Sequence, residues 1–179
     1  MAHYRARDLL LVPSLLSLAR LPLAALFAAV IGRPWLALAV LALAGLTDVL
    51  DGWYARRYGL ATATGAVVDG ISDKLFVAVV VIALVLRSLL EPWQALLLAV
   101  REIGELPLVM WWALFRHGRK RRAEDPQANR IGKLATVTQF AAIASALFDP
   151  GRGSALFYFA ALTGAVAAFS YWRRELRAA

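Results

Sequence analysis

Four aspartates, Asp48, Asp51, Asp69 and Asp73, stand close together in a strongly apolar chain. They are arranged as Asp48-x-x-Asp51-Gly52-x-x-Ala55-Arg56, then eight residues, then Gly65-x-x-x-Asp69-x-x-x-Asp73. An acid at a bilayer centre costs about 2.5–3.5 kcal/mol and persists where it faces a cavity, a partner or a metal. Helix positions three or four apart share a face, so Asp48, Asp51 and Ala55 form one stripe and Gly65, Asp69 and Asp73 another. A short connection makes the two helices antiparallel neighbours, so the stripes are expected to converge. Carboxylates held that close repel one another and stay ionised only beside compensating cations. Oxygen ligands select Mg²⁺, Mn²⁺ or Ca²⁺. Two divalent ions would balance four charges, and paired ions are a standard device for displacement at phosphorus. The first amides of the second helix add a positive potential suited to phosphate.

The small residues fit the same chemistry. Gly52, Ala55 and Gly65 lie on or beside the acidic stripes, where lack of bulk lets a ligand approach the backbone, and Arg56 can fork onto a phosphate or a neighbouring carboxylate. Close helix packing is the competing explanation for Gly and Ala. It does not explain the aspartates. The chain has no cysteine, which excludes disulfides, thiolate metal sites and thiol nucleophiles. His3 and His117 lie in basic segments with no ligand set around them.

These groups must be positioned inside a membrane. Of the 179 residues, 61% are hydrophobic and only 18% charged, against about 25% charge in a soluble domain. Apolar segments at 13–31, 34–58, 64–87, 92–115, 131–148 and 154–172 are each long enough to span or nearly so. Turn chemistry separates them at Gly32-Arg33-Pro34, Tyr58-Gly59, Glu91-Pro92 and Asp149-Pro150-Gly151. The fold expected is therefore an all-α membrane protein, a bundle of six transmembrane helices over 13–172 preceded by a short interfacial segment at 1–12. Residues 1–179 read as one domain. Pro22 and Pro107 fall inside spans, where they kink rather than terminate a helix. Trp35, Trp93, Trp111, Trp112, Tyr171 and Trp172 sit near predicted ends, as interfacial anchors do.

Basic residues set the orientation. Arg5, Arg7, Arg56, Arg57, the basic members of 116–133, Arg173, Arg174 and Arg177 fall on one side, whereas Arg33, Arg87 and Arg152 fall on the other. The positive-inside rule then puts both termini in the cytoplasm and the aspartates at a cytosol-facing mouth of an integral, multi-pass inner-membrane protein. A net charge of +8 suits anionic lipid contacts better than nucleic acid.

The spacing from Asp48 to Asp73 resembles the signature of the CDP-alcohol phosphotransferase family, with every fixed position and both intervals intact. That resemblance implies transfer of a phosphatidyl or related group from a CDP-linked donor to an alcohol, with release of CMP. It implies Asp48, Asp51 and Asp69 as metal ligands and Asp73 as both a metal ligand and the general base on the acceptor hydroxyl. Gly52, Ala55, Arg56 and Gly65 would line the nucleotide site, with Mg²⁺ or Mn²⁺, two ions, as cofactor. A homodimer is also implied.

Acceptor identity rests on other residues. Ser14-x-x-Ser17-x-x-Arg20 resembles the family's first-helix Asn-x-x-Thr-x-x-Arg pattern with both hydroxyl or amide positions changed. Arg101-Glu102 and Gly132-Lys133-x-x-Thr136-x-x-Gln139 resemble elements of the phosphatidylglycerophosphate synthase branch. Arg20, Arg101 and Lys133 are the expected acceptor-binding residues, with an Arg101–Glu105 helix pair and an interfacial lysine as the structural alternative. The leading expectation is transfer from CDP-diacylglycerol to glycerol 3-phosphate. CMP-forming cardiolipin synthesis and transfer to an inositol phosphate are the alternatives within the family, and a cation-coupled transporter is the alternative outside it. The transporter would bring broken helices or inverted repeats, which the sequence does not display. The roles of Glu102 and Glu105 stay open.

Overall fold

The structure, a computed structural model, describes residues 11–60, 62–114, 126–149 and 154–178. The expected interfacial segment, apart from residues 11 and 12, lies outside these residues, as do His3, His117 and the basic cluster at 116–122. The described residues are helical and contain no strand. The chain divides after Arg87 into two units. The first holds α1 (Val12–Leu18), α2 (Arg20–Val30), α3 (Pro34–Arg57) and α4 (Ala63–Leu86), and the second holds α5 (Pro92–Leu114), α6 (Pro126–Phe148) and α7 (Ser154–Ala178).

Six expected helices thus appear as seven because the first span is interrupted at Ala19. Helical hydrogen bonding continues across the break, from Ala19 N–H to the Leu15 carbonyl at 2.9 Å and from Leu23 N–H to the Ala19 carbonyl at 3.2 Å. Pro22 has no N–H to offer the Leu18 carbonyl, which accounts for the loosened turn immediately before Arg20. Proline also sets helix starts, at or next to the first helical position of α1 and α3. Pro107 lies inside α5 without ending it.

The two helices that carry the aspartates are joined by well-defined turn chemistry. At the end of α3, Gly59 adopts φ +65, a left-handed conformation that glycine reaches without a Cβ penalty. Leu60 N–H then closes back on the Ala55 carbonyl at 3.0 Å, the wrapping bond of a Schellman-type C-cap. Thr62 caps α4, its hydroxyl accepting from Gly65 N–H at 3.0 Å.

Within the first unit, α1 packs on α3 and α4, and α2 packs on both as well. The first span therefore lies between the acidic helices, a departure from the direct α3–α4 neighbourhood expected from their short connection. Phe27, Leu41, Phe76, Val80 and Leu84 fill this core. In the second unit, α7 packs against α5 and α6 around Leu98, Ile143 and Phe157. Close approach is enforced at Gly104, where a Cβ would meet the Ala168 Cβ at 2.8 Å, and at Gly164, where it would meet the Arg101 Cβ at 3.0 Å. Trp172, expected as an interfacial anchor, donates its indole N–H to the Gly104 carbonyl at 2.9 Å and so ties α7 to α5.

Four stretches, Val12–Val30, Pro34–Arg57, Ile131–Phe148 and Ala155–Arg173, are long and apolar enough to cross a membrane. Between 28 and 44% of their residues are buried inside the protein, and many apolar side chains face outward, among them Leu46, Val49, Leu162 and Phe169. Exposed apolar surface on this scale suits contact with lipid or with another apolar protein surface. The remaining long helices, α4 and α5, carry Asp69, Asp73 and Lys74, and Arg101, Glu102 and Glu105, respectively. Their charges, rather than their lengths, set them apart.

Candidate active site

The carboxylates meet on a single guanidinium. Arg20, at the start of α2, has a side chain only 1% exposed. Its Nη2 lies 3.0 Å from Asp48 Oδ1 and 2.9 Å from Asp69 Oδ1, pairs closely with Asp51 Oδ2, and leaves Nη1 3.8 Å from Asp73 Oδ1. All four aspartates thus converge, as their spacing predicts, although two come from α3 and two from α4. Arg20, expected to serve the acceptor, reaches the carboxylates themselves.

Local helix geometry explains the convergence. Asp48 and Asp51 occupy adjacent turns of one face of α3, as Asp69 and Asp73 do on α4. The break at Ala19 brings Ser17 and Arg20 to the same level. Ser17 Oγ lies 2.9 Å from Asp51 Oδ2, 3.3 Å from Asp69 Oδ1 and 3.1 Å from the Pro13 carbonyl, and its one proton serves these acceptors in turn. Asp51 is the floor of the cluster, with 6% of its side chain exposed, whereas Asp48, Asp69 and Asp73 are exposed by 48, 45 and 47%. The cluster is closed beneath and open above.

Beside it lies a cavity of about 120 Å³, lined by Ser14, Ser17, Gly52, Ala55, Thr62 and Gly65, with Asp51 and Asp69 at its acidic side. The three small residues singled out by spacing therefore line one cavity with two of the carboxylates. A Cβ at Gly65 would meet Thr62 Oγ1 at 3.1 Å and Ser14 Oγ at 3.3 Å, and one at Gly52 would meet Arg56 Nη1 at 3.2 Å. Arg56 accordingly lies over Gly52 at the exposed rim. Ser14 and Thr62 extend the set anticipated from sequence. Thr62 was legible as a hydroxyl three residues before Gly65 at a helix start.

Asp48, Asp51 and Asp69 each offer a carboxylate oxygen within 4.8 Å of the other two. This all-oxygen, acidic set fits a hard divalent cation, and a single guanidinium leaves most of its negative charge uncompensated. The residues fit the metal.

The other two expected acceptor residues belong to the second unit. Arg101 donates from Nε to Glu105 Oε1 at 3.1 Å and from Nη1 to Thr136 Oγ1 at 2.8 Å. Gln139 donates to the Leu98 carbonyl at 3.2 Å. Thr138 and Thr163 share a hydrogen bond of 2.8 Å, linking α6 to α7. Lys133 is exposed on α6.

An all-helical membrane unit that gathers four aspartates beside a glycine-lined cavity defines a phosphotransferase-like site. The CDP-alcohol phosphatidyltransferase family profile matches residues 10–172, and the chain belongs to that family of transferases. It is 37% identical over 153 residues to a cardiolipin synthase (CMP-forming) of Streptomyces coelicolor, covering 80% of this chain and 68% of that one. It is 29% identical over 157 residues to the chloroplastic CDP-diacylglycerol–glycerol-3-phosphate 3-phosphatidyltransferase 1 of Oryza sativa subsp. japonica, covering 80% and 48%. The enzyme of that same activity in Bacillus subtilis is 32% identical over 105 residues, covering 59% and 51%. The chain spans about half to two thirds of the length of these relatives.

Proposed function

We propose that this protein transfers a phosphatidyl group from CDP-diacylglycerol to the hydroxyl of glycerol 3-phosphate, forming phosphatidylglycerophosphate and releasing CMP. The observation that carries the reading is the convergence of Asp48, Asp51, Asp69 and Asp73 beside a cavity lined by Gly52, Ala55 and Gly65. Six spans, with both termini in the cytoplasm of an inner membrane, put this site where a soluble acceptor and a lipid donor meet. We assign the protein to a homodimer.

In this mechanism Asp48, Asp51, Asp69 and Asp73 would hold two divalent ions, Mg²⁺ or Mn²⁺. When bound, they supply charge neutralisation for the pyrophosphate and the departing CMP. Gly52, Ala55 and Gly65 admit the nucleotide close to the backbone, and Arg56 at the rim pairs with its phosphate. Asp73, half exposed on the open side, takes the acceptor's hydroxyl proton as its oxygen bonds to phosphorus and the bond to CMP breaks.

Phosphatidylglycerol as acceptor is the second reading, favoured by the Streptomyces coelicolor relative, which matches over more of its own length than the other two. Purified protein with Mg²⁺ or Mn²⁺ and CDP-diacylglycerol, offered glycerol 3-phosphate, phosphatidylglycerol or an inositol phosphate separately, should release CMP with glycerol 3-phosphate. Release with phosphatidylglycerol alone would transfer the assignment to cardiolipin synthesis, and release with none of them would sink both readings.

A further inference from the structure

We propose that Arg20 competes with the divalent cation for the carboxylate oxygens of Asp48, Asp51 and Asp69, so that metal loading displaces its guanidinium. This rests on the metal-dependent reading above.

Three observations carry it. The first is position. Nη2 sits within 3.0 Å of Asp48 Oδ1 and 2.9 Å of Asp69 Oδ1 and is paired with Asp51 Oδ2, the same three residues whose oxygens cluster within 4.8 Å. A magnesium–oxygen bond is about 2.0–2.1 Å long, so a cation bound by these oxygens would need the volume Nη2 fills. The second is the mode of pairing. Arginine–carboxylate pairs are frequently bidentate, with two parallel N–H···O bonds. Here one nitrogen serves three carboxylates, while the buried Nε and Nη1 have no hydrogen-bond partner among the described residues. The third is charge. One guanidinium faces four carboxylates, so the cluster remains strongly attractive to a doubly charged ion, and three of the four acids are nearly half exposed on the open side.

Arg20 is thus a positioning residue. It holds the acids of α3 and α4 together, and it sets a threshold on metal affinity. A structural tie and a competitor predict opposite changes in that affinity when the guanidinium is removed.

The test is Mn²⁺ binding to detergent-purified full-length protein without nucleotide, followed by electron paramagnetic resonance, for wild type, Arg20→Gln, Arg20→Lys and Arg20→Ala. Competition predicts Mn²⁺ binding about tenfold tighter in Arg20→Gln, with Arg20→Lys between it and wild type. The metal-free melting temperature of Arg20→Gln should fall, and saturating Mn²⁺ should restore it. In Arg20→Ala, added ethylguanidinium should weaken Mn²⁺ binding, an effect absent from wild type. Should Arg20→Gln fail to fold without metal, Arg20→Lys and a preparation of Arg20→Gln made in Mn²⁺ give the same comparison. Equal or weaker Mn²⁺ binding in the variants would overturn the inference while leaving the metal site intact. Wild-type protein that binds no Mn²⁺ would overturn the metal-dependent reading itself.

Discussion

Ser17 Oγ lies 2.9 Å from Asp51 Oδ2 although 34 residues separate them, and this bond fastens α1 to α3 beneath the carboxylate cluster. Ser17→Ala would leave a buried carboxylate short of one donor, a loss of about 1–3 kcal/mol in part offset by the Arg20 pair. The expected result is a melting temperature lower by several degrees, with slower CMP release, in detergent at saturating donor. An unchanged melting temperature would show that Ser17 spends its proton on the Pro13 carbonyl.

Asp73→Asn removes the proton acceptor but preserves the side chain's size. Transfer should fall by about 10²–10⁴-fold, with binding of a CDP-containing nucleotide largely retained by calorimetry. Full activity in this variant would refute Asp73 as the base.

Gly65→Ala inserts a methyl group that Thr62 Oγ1 and Ser14 Oγ would meet at 3.1 and 3.3 Å. Thr62 also caps α4, so neither hydroxyl moves without loss. The KM for CDP-diacylglycerol should rise severalfold, with kcat changed less, because crowding acts on the bound donor rather than on proton transfer. A kcat loss with unchanged KM would place the nucleotide elsewhere.

Chelation should abolish CMP release, and Mg²⁺ or Mn²⁺ added back should restore it. The helices should persist by circular dichroism throughout, since Arg20 partly compensates the acids. Activity that survives exhaustive chelation would exclude the metal-dependent mechanism.

Glu105→Ala strips Arg101 of its carboxylate partner while Thr136 remains. Removing one partner of this part-buried pair leaves Arg101 with Thr136 and the neighbouring charge of Glu102, so this variant should melt several degrees below wild type. Glu105→Gln, which keeps an acceptor, should be milder. If both variants melt like wild type, the pair is not structural.

Much of the site was legible because helices convert spacing into geometry. Intervals of three and four between Asp48 and Asp51 and between Asp69 and Asp73 prescribe shared faces, and Gly52, Ala55 and Gly65 mark where backbone must stay accessible. Apolar length and proline likewise announced Val12–Val30, Pro34–Arg57 and Ile131–Phe148. The place of Arg20 was not legible. Its partners lie 31 and 49 residues away, and no local period encodes which helix enters between two others. The same limit hid Trp172, whose amphipathic ring suggested a membrane interface but whose N–H found the Gly104 carbonyl. The Arg101–Glu105 pair, four residues apart on one helix, was legible and the structure contains it, whereas the Thr136 partner of Arg101, 35 residues away, was not.

Every side chain of the carboxylate cluster, together with Arg20, Ser17 and the cavity-lining glycines, belongs to the unit that ends at Arg87. Ribosomes extend a chain from its N-terminus, and early segments fold as units while later ones are still being made. The acidic helices of this protein can therefore find their buried cation partner during translation, before the translocon receives α5. The order of synthesis delivers Arg20 ahead of all four aspartates, so its positive charge is already in place when those acids are made.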